Sequence, residues 1–271
     1  MELFNYLFAF LFGAAIGSFL NVLIIRLPQG KSVLYPASHC PKCGNSLKWY
    51  HNIPILSWLF LGGKCAYCKA PISPQYPIVE IVSGVLFVCA YHKLGLTPYA
   101  LFVALTFVLL LALSFIDLRY KAVPDSINLL VFLLALFSSS NYLENLQNAL
   151  LLAGGFAMLR FFVSYYVSKK EELRLKKELA RAPWLASYYP KYIMIEAMGE
   201  GDIIVAGTMG AILGVKLTFV AIFIAALVAL PASIINRHFF GDRELPFIPF
   251  LAIGLYTTFC FSQIFTKFVG F

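Results

Sequence analysis

Leu105-Thr-Phe-Val-Leu-Leu-Leu-Ala-Leu-Ser-Phe-Ile116-Asp117 is the stretch on which the fold turns. It is a run of hydrocarbon relieved by two hydroxyls, and it stops on a carboxylate. Farther along, Gly199-Glu200-Gly201-Asp202 sets a second carboxylate at the start of another apolar run, 85 positions after the first. A carboxylate at the rim of hydrocarbon is costly unless it is paired or used, so two at equivalent depth point to chemistry on a membrane-embedded substrate. Asp117 and Asp202 are therefore the candidate catalytic pair.

The rest of the chain fits that setting. Of its 271 residues 61% are hydrophobic and 13% charged, with a mean hydropathy of +0.81, which excludes an ordinary soluble enzyme. The fold class is an all-α polytopic membrane protein, because a segment in lipid must satisfy its backbone internally and about 20 apolar residues span the hydrocarbon core. The pattern predicts about eight transmembrane helices: Phe4 to Ile25, Ile78 to Tyr91, Pro98 to Ile116, Ile127 to Leu143, Leu146 to Val167, Ile203 to Leu213, Leu217 to Ile235 and Phe247 to Phe265. The sixth is short and reads as a half-span or a tilted helix. The expected organisation is a first transmembrane helix at 1–26, a small cytosolic zinc-binding four-cysteine domain at 27–76, and a membrane-embedded core at 77–271 that carries a cytosolic basic segment, 168–199.

Orientation follows from the positive charges, which stay on the cytosolic side. One side collects Arg26, Lys31, Lys42, Lys48, Lys64, Lys69, Arg119, Lys121, the Lys and Arg residues from Lys169 to Lys191, Arg237 and Arg243; the other has Lys93, Lys216 and Lys267. The N-terminus is thus expected in the periplasm, and the ends bearing Asp117 and Asp202 in the cytosol. Topology and anionic lipid account for the net charge of +8 without a nucleic-acid partner. Arg160, inside the fifth run, reads as a snorkelling side chain. The first run reads as a span and not a cleavable signal, since no basic residue precedes it and Arg26 follows.

Two polar segments interrupt the hydrophobic pattern. The first contains Cys40-Pro-Lys-Cys43 and, after 21 residues, Cys65-Ala-Tyr-Cys68, the paired-knuckle spacing of a structural zinc site. Gly44 and Gly62-Gly63 ease the tight turns. Two disulfides are the rival, disfavoured in a reducing cytosol, and iron on the same four sulfurs stays open. Metal would supply folding energy that about 50 residues with little core otherwise lack. Cys89 and Cys260, inside apolar runs, read as small buried hydrophobes. The second segment, from Ser168, has the pattern of an amphipathic helical extension at the headgroup level, but a solvated positive loop is the preferred reading. Pro183 and Pro190 end any helix there, and Tyr188, Tyr189 and Tyr192 suit the interface.

Hydrolysing a peptide bond without a metal or an activated Ser or Cys calls for paired acid and base, and two carboxylates sharing one proton supply both. Gly199 and Gly201 allow close backbone approach beside Asp202. Judged by helix dipoles alone, Asp117 at a C-terminus is the proton donor and Asp202 at an N-terminus the ionised base. The alternative without chemistry is that both merely cap helix ends. Asp125, after Pro124, reads as an N-cap. Glu80, close to the start of the second run, needs a partner: Arg26 or a cationic substrate.

Ordered motifs extend this reading through nearly the whole chain. They are Gly13 to Asn21 with Arg26-Leu27-Pro28; the Cys tetrad with His51-Asn52-Ile53-Pro54 and Leu56-Ser57-Trp58 between its halves; Ile72-Ser73 with Tyr76-Pro77-Ile78-Val79-Glu80; Asp117 with Pro124-Asp125; Gly199-Glu200-Gly201-Asp202; and Pro246-Phe247 with Pro249-Phe250. In these the chain resembles the bacterial type IV prepilin peptidases. The resemblance implies a multi-pass aspartic endopeptidase of the inner membrane that cuts the short basic leader from type IV prepilins or pseudopilins at the cytosolic face, with Asp117 and Asp202 as its catalytic pair. It also implies N-methylation of the new N-terminal residue with S-adenosylmethionine, chiefly through the Cys40 to Cys68 domain; no nucleotide-binding Gly-rich unit is legible for that cofactor. Two positions depart from the family pattern. Ile204 stands where a Lys is common, leaving Lys191 or Lys216 to replace it, and Ile248 stands where a Gly is common.

A substrate helix must unwind to present an extended bond, which a small residue before the cut favours, and its basic leader would be drawn by Glu196, Glu200 and Glu80. Two readings of other classes are a proton-coupled transporter, which would place its carboxylates nearer the midplane, and a membrane-anchored zinc-ribbon module, which leaves the aspartates unexplained.

Overall fold

The computed structural model describes residues 2–181, 195–196, 199–240 and 245–269. In chain order the helices are α1 (Glu2–Arg26), α2 (Leu56–Phe60), α3 (Gln75–Leu94), α4 (Pro98–Tyr120), α5 (Asp125–Leu136), α6 (Tyr142–Arg181), α7 (Glu200–Phe240), α8 (Ile248–Cys260) and α9 (Ser262–Val269). Among the described residues there is no β-strand, and α1, α3, α4, α6 and α7 are long and apolar enough to cross a membrane. The apolar helices α5 and α8 are shorter.

The boundaries differ from the hydropathy pattern in three places, each with a local cause. α5 stops at Leu136 instead of running on to Leu143, because Asn145 Nδ2 donates to the Leu136 carbonyl at 2.9 Å and the following serines and asparagines bond the backbone in place of the helix. The runs predicted at 203–213 and 217–235 are two helices, given one label as α7, that meet at Gly214 with no longer linker between them, and the φ of 73° there suits glycine. Thr218 Oγ1 donates to the carbonyls of Gly214 (2.6 Å) and Met209 (3.2 Å), so the break leaves those carbonyls satisfied in an apolar setting. The last run, 247–265, divides into α8 and α9 at Phe261.

α4 is the centre of the bundle. Val103, Phe107, Leu110, Leu113 and Ile116 are fully buried along it, and α1, α3, α5 and α8 all pack on it, while α7 lies against α5, α6 and α8. Lipid offers little drive for apolar helices to associate, so close packing of small residues does that work. Gly13 and Gly17, four apart on α1, do so here: a Cβ at Gly13 would lie 2.7 Å from the Ser83 carbonyl oxygen, and one at Gly17 2.8 Å from Glu80 Cα. Outward-facing Leu7, Leu11, Phe161, Phe162, Phe219 and Phe223 cover the bundle with hydrocarbon.

The basic segment continues α6 as a helix through Arg181, against the preferred reading of a solvated loop, with Glu172–Lys176 (2.6 Å) and Glu171–Arg174 (3.6 Å) ion pairs along it. At about 1.5 Å per residue this 40-residue helix is about 60 Å long, twice the hydrocarbon thickness. Pro183, Tyr188, Tyr189, Pro190, Lys191 and Tyr192 lie outside the described residues.

Candidate active site and cysteine centre

Asp117 lies one turn before the end of α4 and Asp202 in the first turn of α7. Both are buried, and they lie near enough for the charge of Asp117 to act on Asp202. The fold therefore brings together two groups 85 positions apart. Their surroundings come from three other places in the chain. Asp117 Oδ2 accepts the N–H of Ile248 at 3.2 Å, and the Phe247 N–H also bonds this carboxyl. Asp202 accepts the N–H of Gly199. Asn128 of α5 donates through Nδ2 to the Gly201 carbonyl at 3.1 Å. Gly201 has to be small, because a Cβ there would lie 3.0 Å from the Val123 side chain in the α4–α5 turn. Gly199 lies against the Asp202 carboxyl, its missing Cβ 3.7 Å from Oδ2.

These contacts correct several readings of the sequence. The division of labour drawn from helix dipoles took α4 alone, but Asp117 also faces the N-terminal N–H groups of α8, so two helix-end fields oppose each other there and no assignment follows. Asp125 is the first residue of α5, after an N-cap at Pro124, and makes no capping hydrogen bond. Glu80 does not meet Arg26. Its Oε2 accepts the N–H of Ile55 at 2.7 Å, with the Ser18 side chain as a second donor, while Arg26 donates to the carbonyls of Pro36 (2.7 Å) and Ser32 (3.3 Å). Arg160 is not simply snorkelling, since it pairs with Glu200 (2.9 Å) and Glu196 (3.2 Å). Lys216 does not replace the cation missing at Ile204: it follows the break at Gly214, and the helical rise from Asp202 to Gly214 is already about 18 Å at 1.5 Å per residue.

The cysteine segment is built twice from one local pattern. Cys40 N–H bonds the Asn45 carbonyl and Gly44 N–H the Cys40 carbonyl; in the second half Cys65 N–H bonds Ala70 and Lys69 N–H bonds Cys65. Each loop is closed by one antiparallel bridge, His39 with Ser46 and Lys64 with Pro71. The turn that Gly44 makes at φ 72° is made in the second loop by Lys69 at φ 59°, an L residue in a region most side chains avoid. Gly62 and Gly63 also have positive φ, as the turn reading requires.

The four sulfurs of Cys40, Cys43, Cys65 and Cys68 lie within 4.8 Å of one another and could hold a metal ion. The Cys40–Cys68 separation of 3.8 Å matches the edge of a tetrahedron with metal–sulfur bonds of about 2.3 Å. The N–H groups of Cys43 and Lys42, directed at Cys40, lower its thiol below the usual range, while the neighbouring Cys43 is shifted the other way. Cys89 and Cys260 are half-buried in α3 and α8, away from this centre, with their thiols in contact.

Two family models match the sequence: the bacterial peptidase A24 N-terminal domain over residues 11–94 and the type IV leader peptidase family over residues 104–234. A prepilin leader peptidase/N-methyltransferase of Neisseria gonorrhoeae is 32% identical over 89% of this chain and 85% of its own length. The chain belongs to this peptidase family. A relative of the same description from Legionella pneumophila is 30% identical over 99% of this chain and 96% of its own. One from Myxococcus xanthus (strain DK1622) is 48% identical, over 44% of this chain and 36% of that protein. No solved structure matches significantly.

Some participants at the site escape sequence reading. Ile248 departs from the family pattern, yet it contributes a backbone N–H that any residue except proline supplies. Asn128, fully buried in an otherwise apolar helix, carried a signal in its polarity; its partner on α7 did not.

Proposed function

We propose that this protein cuts the short basic leader from type IV prepilins or pseudopilins by a two-aspartate mechanism and N-methylates the new N-terminal residue with S-adenosylmethionine. Its place is the bacterial inner membrane, with a periplasmic N-terminus and with the dyad and the four-cysteine segment on the cytosolic side. About eight apolar segments form the crossings, α5, the two parts of α7 and α8 completing the set begun by the longer helices. Residues 1–26 are the first span, 27–76 the four-cysteine domain and 77–271 the protease core. Family membership supports both activities, and the charge distribution of the loops supports the orientation.

What supports the two-aspartate reading most is that two buried carboxyls, Asp117 at the end of α4 and Asp202 at the start of α7, lie near enough for the charge of one to act on the other. With one proton between them, the ionised carboxyl takes a proton from water as the water oxygen attacks the scissile carbonyl carbon, and its partner protonates the carbonyl oxygen. The diol collapses as the carboxyl that took the water proton gives it to the amine nitrogen, the C–N bond breaks, and a diol hydroxyl passes its proton to the other carboxylate, which leaves the dyad with one proton again. Gly199 and Gly201 leave room for an extended substrate strand beside Asp202. Of the acidic groups expected to attract a basic leader, Glu196 and Glu200 stay exposed enough to do so, whereas Glu80 is buried on Ile55 and is withdrawn from that role.

Zinc on Cys40, Cys43, Cys65 and Cys68 would supply folding energy to their segment. S-adenosylmethionine supplies the methyl group. Purified protein incubated with a prepilin should release the leader and leave a methylated N-terminal residue, read by mass measurement. The Asp117→Asn and Asp202→Asn variants should each leave the precursor intact. An intact-rate cleavage by either variant overturns the two-aspartate mechanism.

A further inference from the structure

Arg160 is used by neither the dyad nor the cysteine centre. It lies in the apolar part of α6, next to Leu159 and Phe161, which face outward, while its own side chain is 19% exposed. A guanidinium at the edge of hydrocarbon is costly to keep, and such residues as a rule carry function. Its two terminal nitrogens hold two different carboxylates: Nη1 donates to Glu200 Oε1 at 2.9 Å and Nη2 meets Glu196 Oε1 at 3.2 Å. Two turns farther along α6, Ser168 Oγ accepts the N–H of Ile195 at 2.9 Å. α6 therefore grips residues 195, 196 and 200, on both sides of the approach to Gly199 and Asp202. From the opposite side Asn128 holds the Gly201 carbonyl.

The Glu196 and Glu200 side chains are 71% and 78% exposed, and ion pairs to such exposed partners add little to stability. The clamp acts instead on geometry. We propose that Arg160 is a positioning residue for peptide cleavage: it fixes the segment before Asp202 so that Gly199 N–H stays on that carboxylate and the carboxylate stays on Asp117. The proposal rests on the reading of Asp202 as a catalytic group. A lysine cannot replace the planar fork that spans two carboxylates.

The test compares full-length wild type with Arg160→Gln, Arg160→Lys, Arg160→Glu, Glu200→Gln and the swap Arg160→Glu/Glu200→Arg. Each is assayed for prepilin cleavage (kcat and KM separately) and for methyl transfer to a pre-cut pilin. Arg160→Gln should lose about tenfold or more in kcat with KM within about twofold, since a misplacement of about 1 Å has consequences on that scale. Arg160→Lys should fall between it and wild type, the swap should recover most of what Arg160→Glu loses, and methyl transfer should be unchanged throughout. Wild-type kcat in Arg160→Gln and Glu200→Gln, no recovery in the swap, or a parallel fall in methyl transfer overturns the proposal. Glu200 is exposed, so Glu200→Gln decides the matter if the Arg160 variants fail to fold. Asp202→Asn run alongside separates the two claims. If it still cleaves, the catalytic reading falls and this proposal with it; if it is dead while Arg160→Gln cleaves normally, the positioning role alone falls.

Discussion

The cysteine centre and the aspartate pair are both four-part constructions, but they are assembled in opposite ways. The cysteines sit in two loops whose hydrogen bonds close over four to six residues, from Cys40 to Asn45 and from Cys65 to Ala70. The aspartates are joined by no local pattern. Asp117 comes from α4, Asp202 from α7, and their backbone donors and props come from α8 and α5. One site is set by spacing and could hold an ion; the other is set by helix packing and needs the whole bundle. The first is therefore sensitive to chemistry in solution and the second to single contacts far away in the chain.

Removing the metal should show that contrast at its largest. Structural zinc contributes about 10 kcal/mol or more to the folding of small zinc-bound units, so a strong chelator should expose residues 31–72 to protease and abolish methyl transfer, while leader cleavage keeps at least half its rate. Loss of cleavage in step with the metal would mean that the two regions are not separately built. Acid should act in the same sense. Protons compete with a metal ion for the four sulfurs, so metal should be lost as the pH falls from about 9 to about 5. Metal content measured by atomic emission across this range checks the direction.

Asn128→Ala probes the packing-built site. It removes the donor on Gly201 and leaves that carbonyl buried, a loss of about 1–3 kcal/mol, so cleavage kcat should fall about tenfold while metal content stays at wild type. An unchanged kcat would separate α5 from the site. The smallest effect is expected where the two regions meet. Glu80 accepts the N–H of Ile55, which sits at φ 64° in a turn closed by Leu56 N–H on the Pro54 carbonyl. Glu80→Gln keeps the size and most of the bonding, so the unfolding midpoint should drop by a few degrees, about 1 kcal/mol, with methyl transfer reduced and cleavage unchanged. If cleavage falls instead, the cysteine segment is coupled to the dyad through α3.

Legibility in the sequence follows the same divide. The Cys spacing, the positive turns at Gly44, Gly62 and Gly63, the apolar spans and the two rim carboxylates all lie in short stretches whose residue types carry their own chemistry. Helix ends were less legible, because side chains near Ser138 and Asn145 compete for the backbone of α5 in a way hydropathy does not register. The long-range partners were not legible at all. Nothing near Glu80 in the chain names Ile55, nothing near Arg160 names Glu196 and Glu200, and the N–H groups that α8 offers to Asp117 carry no side-chain mark. The snorkelling reading of Arg160 and the dipole argument for Asp117 both came from treating a helix as if it stood alone.

The central claim is that Asp117 and Asp202 act as one unit, and the double-variant cycle tests it most directly. Cleavage kcat/KM is measured for Asp117→Asn, Asp202→Asn and the combined variant, all with unchanged metal content. Groups that share one proton and one transition state are grossly non-additive. Each single variant should lose about 10³-fold, and the combined variant should lose no more than the worse of the two. Losses that multiply in the combined variant, or one aspartate that can be replaced without effect, would contradict it.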